Sequence, residues 1–117
     1  MTNTDPNQFT ISVPVDKRAQ IDFDYDIAKD EQVIVHHFFG NDVLWILKSG
    51  IVDIINDELD VNIDSIEDEY LHDLVALEVL IPKLRAIWPN SEIVAKILEL
   101  FAEAIRLGTC VHIAIGR

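Results

Sequence analysis

The spacing of apolar and polar residues changes several times along the chain. Phe9, Ile11, Val13 and Val15 alternate with small polar residues, the period-two pattern of a strand that buries one face. Pro14 lies in that run, so this strand sits at an edge or ends there. Asp16 to Ala19 reads as a turn. Ile21, Phe23, Tyr25 and Ile27 then alternate strictly with Asp22, Asp24 and Asp26, which predicts a strand carrying three outward carboxylates. A polar break from Ala28 to Glu31 leads to the apolar run Val33 to Phe39, whose β-branched start predicts a third strand. The opening section thus reads as an antiparallel three-stranded meander.

Helical spacing follows. Gly40 ends the third run and Asn41 or Asp42 can cap a helix, with Leu44, Leu47, Ile51, Ile54 and Ile55 on one face. Gly50 inside that helix costs about 1 kcal/mol relative to alanine, and a hairpin bent at Lys48-Ser49-Gly50 is the competing reading. Asp64 or Ser65 is the next cap, with Ser65 and Asp68 spaced as a capping box. Leu71, Leu74, Leu77 (or Glu78) and Ile81 continue its apolar face, and Glu67, Asp68 and Glu69 fall in its first turn, where the helix dipole favours carboxylates. Pro82 kinks this helix or opens a second one ending near Trp88-Pro89. Ser91 caps a last helix over residues 92–107, with Val94, Ile97, Leu98, Phe101 and Ile105 inward and Gly108 as its stop. Thr109 to Ile115 closes the chain as a strand.

The order β-β-β-α-α-α-β predicts an α+β fold: a small antiparallel sheet, made of the N-terminal meander plus the C-terminal strand, packed against about three helices. Residues 1–8 read as a flexible N-terminus and 9–117 as a single domain, which suits 117 residues and 13.3 kDa. Half the residues are hydrophobic, enough for a real core, yet no apolar run reaches the length of a membrane span. One cysteine, Cys110, excludes an intramolecular disulfide and suggests a reducing, cytoplasmic setting.

Charge adds the most informative layer. Twenty-one acids against nine Lys and Arg give −12, the wrong sign for a free-standing binder of nucleic acid or anionic membrane. Residues 1–82 hold eighteen acids and four bases, whereas residues 83–117 hold three acids and five bases. Between Ser49 and Pro82 there are ten acids and no Lys or Arg. Like charges repel, so a long one-sign stretch costs stability that a binding role explains, though a solvated face also produces one. Two clusters emerge as candidate partner-binding residues. The first is Asp22, Asp24 and Asp26. The second is Asp53, Asp57, Glu58, Asp60, Asp64, Glu67, Asp68, Glu69 and Asp73.

Other chemistry is thin. His36 and His37 are adjacent, so on a strand they face opposite sides and cannot share a metal. Cys110 and His112 share a face, but no second pair with ligand spacing accompanies them, and burial in the core accounts for both. Asp60, Asn62 and Asp64 begin like a calcium loop, yet Ser65 stands where glycine is needed and Leu71 where a bidentate glutamate is needed. Asp64-Ser65-Ile66 resembles the prosthetic-group site of acyl carrier proteins, all-helical bundles. The likeness spans about twenty residues, and a helix cap explains Ser65 equally well. No nucleophile elbow, glycine-rich phosphate loop or zinc spacing is present, so neither an enzyme nor a cofactor is expected.

A small, very acidic single domain with one cysteine and no catalytic motif resembles a bacterial immunity protein, of the type that protects against contact-dependent growth inhibition toxins. The resemblance is carried by the clusters Asp22–Asp26 and Asp53–Asp73 and covers the chain as overall character. It implies a tight complex with a basic toxin nuclease domain whose substrate groove is blocked, with no direct contact to nucleic acid or membrane. Trp45, Trp88 or Tyr70 would supply an aromatic anchor if exposed, although the neighbours of both tryptophans favour the core. The alternatives are a nucleic-acid mimic inhibiting a DNA- or RNA-binding protein, and a metal- or small-molecule-binding regulatory domain using His36, His37, His72 or Cys110.

Overall fold

The computed structural model describes residues 8–64 and 68–116; residues 1–7 of the expected flexible terminus and the expected cap at Ser65 lie outside them, while Gln8, expected to be flexible, opens the first strand opposite Phe39. The described chain forms β1 (Gln8–Pro14), α1 (Lys17–Asp24), a single 3-10 turn (Asp30–Gln32), β2 (Val33–Phe39), α2 (Asn41–Ser49), α3 (Ile51–Leu59), β3 (Glu69–Leu71), α4 (Leu74–Ile87), α5 (Glu92–Leu107) and β4 (Val111–Ile115). The strands make one antiparallel sheet in the order β2-β1-β4-β3. The fold is therefore α+β, with five α-helices and a sheet whose strands come from both ends of the chain. No helix among the described residues is long and apolar enough to cross a membrane.

The meander is the main correction. Residues 21–27 are not a strand: α1 occupies most of them, because the Asp16 carboxylate accepts the Ala19 N–H at 2.8 Å and starts a helix one turn earlier. In this helix Ala19 and Phe23, four apart, share the face turned toward the sheet. The helix leaves Ile21, Tyr25 and Ile27 exposed, which a half-buried strand would not. β2 then pairs directly with β1, from Gln8 opposite Phe39 to Pro14 opposite Val33.

A second correction concerns the middle helices. Gly50 does not sit inside one helix; at φ 90° and ψ 0° it separates α2 from α3 in a conformation that side chains disfavour. The break resets the helical phase. Val43 and Ile46 turn inward in α2 and Ile51 and Ile55 in α3, while the expected Leu44 and Leu47 are exposed. The helix expected from Asp64 or Ser65 starts instead at Leu74, where the Asp73 carboxylate accepts the Ala76 N–H at 3.0 Å. Glu69–Leu71 is drawn off as β3 by pairing with β4, a partner some forty residues away that local pattern cannot reveal. α4 runs through Pro82, which lies on its exposed side and leaves the Glu78 carbonyl without its helical donor. The last helix matches expectation: the Ser91 hydroxyl accepts the Val94 N–H, and Gly108 ends α5 at φ 70°.

The core lies on one face of the sheet. Phe9, Ile11 and Val13 of β1, Val111, Ile113 and Ile115 of β4, and Leu71 of β3 pack against Leu77, Leu80 and Leu84 of α4 and Ile97, Leu98 and Phe101 of α5. The opposite face is polar and narrow, with Thr10, Ser12 and His112 buried beneath α1. Across it the Phe23 ring meets His112 at 5.1 Å and Tyr70 at 6.1 Å.

Candidate functional site

The first aspartate cluster is not a carboxylate ladder. Asp22 is half-buried and internally satisfied: it accepts from Gln32 Nε2 at 2.8 Å and pairs with Arg18 at 3.2 Å. The Gln32 bond, and after it the Arg18 charge, hold its carboxyl below the usual aspartate range despite partial desolvation. Asp24 and Asp26 remain exposed, and Asp26 adopts φ 61° at the end of α1.

The second cluster divides by role. Asp53 and Asp57, at i and i+4, form a stripe on the exposed side of α3, and the exposed Asp60 caps its end. Among the described residues no hydrogen bond or ion pair engages these three carboxylates. Glu58, beside them, pairs with Lys83 of α4. Four other acids serve the fold. Asp73 caps α4, and Glu69 accepts the Asn62 backbone N–H at 2.8 Å. Asp64 accepts from the Asn62 side chain at 3.2 Å. Asp68 meets the nearly buried His112 Nε2 at 3.2 Å. Glu67 lies outside the described residues. The expected placement of Asp68 and Glu69 in a first helical turn is thus replaced by a loop and β3.

The two clusters, separate in sequence, meet at the β3 edge of the sheet. Tyr70 of β3 stacks on His72 and packs at 4.7 Å on His112, which binds Asp68. Burial, and then the nearby Asp24 carboxylate, push the Tyr70 phenol up from its ordinary pKa. An acidic band therefore runs from α3 through the Asp60–Asp64 loop and β3 to Asp24 of α1. Sequence reading missed the residues that engage acids of the two clusters, Gln32 by a hydrogen bond and Arg18 and Lys83 by charge. Of these, only the spacing of Arg18 four residues before Asp22 was visible in advance.

Two carboxylates at the end of α3 stand against local physics. Asp57 and Glu58 occupy the last turn, where the helix dipole repels negative charge, and no basic residue shares that turn. Asp60 holds the left-handed conformation at φ 53°, which costs on the order of 1 kcal/mol relative to glycine. Asp53 and Asp57 repel at i,i+4 spacing. Asp53 in the first turn is favoured by the dipole and Glu58 pairs with Lys83, so the carboxylates held against the fold are Asp57 and Asp60.

The aromatic candidates are only partly available. Trp45 and Trp88 pack edge to face at 5.8 Å and are half-buried against the core. Tyr70 is half-buried. His36 and His37 face opposite sides of β2: His36 packs on Phe38, and His37 Nδ1 lies 2.8 Å from the Thr10 hydroxyl. Cys110 is buried, and desolvation raises its thiol pKa to about 11. No group of three or more His, Cys, Asp or Glu among the described residues is arranged to hold a metal ion. A groove of about 510 Å³ lies on the α1 face of β2, floored by Val33 and Val35 and walled by Phe23 and Lys29.

Comparison with known proteins finds no matching family model, no matching curated protein and no matching solved structure.

Proposed function

We propose that the chain is an inhibitor of the immunity-protein kind, acting in the cytoplasm by placing the acidic face of α3 in the substrate groove of a basic toxin nuclease domain. The observation that carries this reading is the stripe Asp53, Asp57 and Asp60. Its carboxylates are exposed and unpaired among the described residues; the helix dipole opposes Asp57 in the last turn, and Asp60 sits in the left-handed conformation. Charges kept against folding stability are a mark of binding surfaces, because function and not the fold retains them. Such a face would attract a basic partner at high on-rates and stand where substrate phosphates bind. Asp24 and Asp26 extend the field, whereas Asp22 contributes little because Arg18 and Gln32 engage it.

The test is paired affinity capture from the cell of origin, with the wild-type chain and an Asp53→Asn, Asp57→Asn, Asp60→Asn variant as baits. The reading expects one basic protein at equal stoichiometry on the wild type, much depleted on the variant, and inhibited when the two are remixed. Capture unaffected by the variant, or a captured protein whose activity is unchanged on remixing, would refute it.

A further inference from the structure

A groove of about 300 Å³ lies where α4 ends and α5 begins. Trp88 closes α4, Pro89 follows it, and both line the groove. From α5 the buried Leu98 adds apolar surface, and the exposed Ala95 and Ala102 border it. These alanines are seven residues apart and so share one helix face, where longer side chains would fill the space. The Trp88 ring meets Trp45 edge to face at 5.8 Å and packs on the core, so the aromatic wall is set before a ligand arrives.

Charge around this groove departs from that of the whole chain. Residues 83–117 hold three acids and five bases. Of the cations described there, Lys83 pairs with Glu58, Lys96 with Glu99 and Arg106 with Glu103. Arg85 lines the groove, is exposed, and makes no hydrogen bond or ion pair among the described residues. Glu99 also lines it, but Lys96 meets that carboxylate at 2.6 Å. A guanidinium with its N–H fork unengaged matches a carboxylate, which accepts two parallel bonds from it.

We propose that this groove binds a small aromatic carboxylate, its ring against Trp88, Pro89 and Leu98 and its charge on the Arg85 guanidinium. The volume stands at the lower end for small-molecule sites, which suits a single ring with a short acidic arm. Apolar walls hold the ring, and one convergent charge sets its orientation. Arg85 also suits the helix dipole in the last turn of α4, a role that any cation would fill. The site does not involve the α3 stripe and does not depend on the inhibitor reading. For a ligand of about ten non-hydrogen atoms the expected dissociation constant is on the order of 0.1–1 mM.

Titration of phenylacetate into the isotope-labelled chain, followed by amide and indole N–H chemical shifts, tests the proposal. Shifts should concentrate at the Trp88 indole and at Ala95, Leu98 and Ala102. The neutral phenylacetamide should bind at least tenfold more weakly. Arg85→Gln removes the charge and Ala102→Leu fills the groove; each should weaken phenylacetate at least tenfold with unchanged circular dichroism. Arg85→Lys keeps the charge for the dipole but loses the fork, and should weaken binding severalfold at unchanged melting temperature. The proposal is overturned if phenylacetate moves no shift at ten times the expected constant, or if the shifts gather elsewhere on the chain. It is equally overturned if the amide binds as well as the acid, or if Arg85→Gln or Ala102→Leu binds as tightly as the wild type.

Discussion

The carboxamide of Asn56 holds both polar groups of Ile63: its oxygen accepts the Ile63 N–H at 2.7 Å and its nitrogen donates to the Ile63 carbonyl at 3.3 Å. One side chain near the end of α3 thus treats the returning loop as a strand. With Asn62 bonded to Glu69, it sets the position of Asp60 relative to α3 and of β3 relative to the acidic band. Asn56→Ala strips both groups of their partner and should cost about 1–3 kcal/mol. Urea denaturation measures this, and amide exchange at Ile63 should accelerate well before global unfolding.

The stripe itself should be a stability liability. Asp57→Asn removes a charge from the last turn of α3 and its repulsion with Asp53, and should stabilise the chain by about 0.3–0.5 kcal/mol. A thermal melt of the single variant checks the sign. A lower melting temperature would show that Asp57 serves the fold after all.

The bounds of α5 and the existence of β2 were legible in the sequence because their signals are local. Ser91 and Gly108 bracket α5 by cap chemistry alone, and the run Val33 to Phe39 is β-rich from its first residue. Asp22 to Asp26 misled because the Asp16 cap starts a helix in spite of the alternation, leaving Ile21, Tyr25 and Ile27 exposed. β3 was hidden because three residues become a strand only through β4. The charge run marked the acidic region. Its division into free carboxylates on α3 and structural ones at Asp68, Glu69 and Asp73 depends on partners that no spacing specifies.

Gly50→Ala should cost about 1 kcal/mol through conformation alone, since a Cβ there meets nothing within 4 Å while φ stays at +90°. Chemical denaturation quantifies the loss. A neutral substitution would show that α2 and α3 can merge into one helix.

Two groups set the pH profile in opposite directions. Burial, and after it the Lys96 charge and His37, hold the His36 imidazole below its ordinary value of 6.5. The unfolded chain then binds more protons, so stability should fall as pH drops through and below 6.5. Replacing His36 with Gln should flatten that limb of the melting curve. The Cys110 thiol is raised from 9.0 to about 11, so its contribution is complete below 9 and fades as pH rises toward 11. Alkylation of the native thiol at neutral pH should be slow, and Cys110→Ser should cost on the order of 1–3 kcal/mol.

The central claim is that the α3 carboxylates steer a basic partner. Its most direct measurement is the association rate of the captured partner with the immobilised chain at low and at physiological salt. It compares the wild type with the Asp53, Asp57, Asp60→Asn variant and with an Asp24, Asp26→Asn variant. The account predicts about a tenfold slower association and a flattened salt dependence for the α3 variant, with a smaller change for the other. Equal rates for all three chains at both salt concentrations would contradict it and leave the stripe as a solvated face.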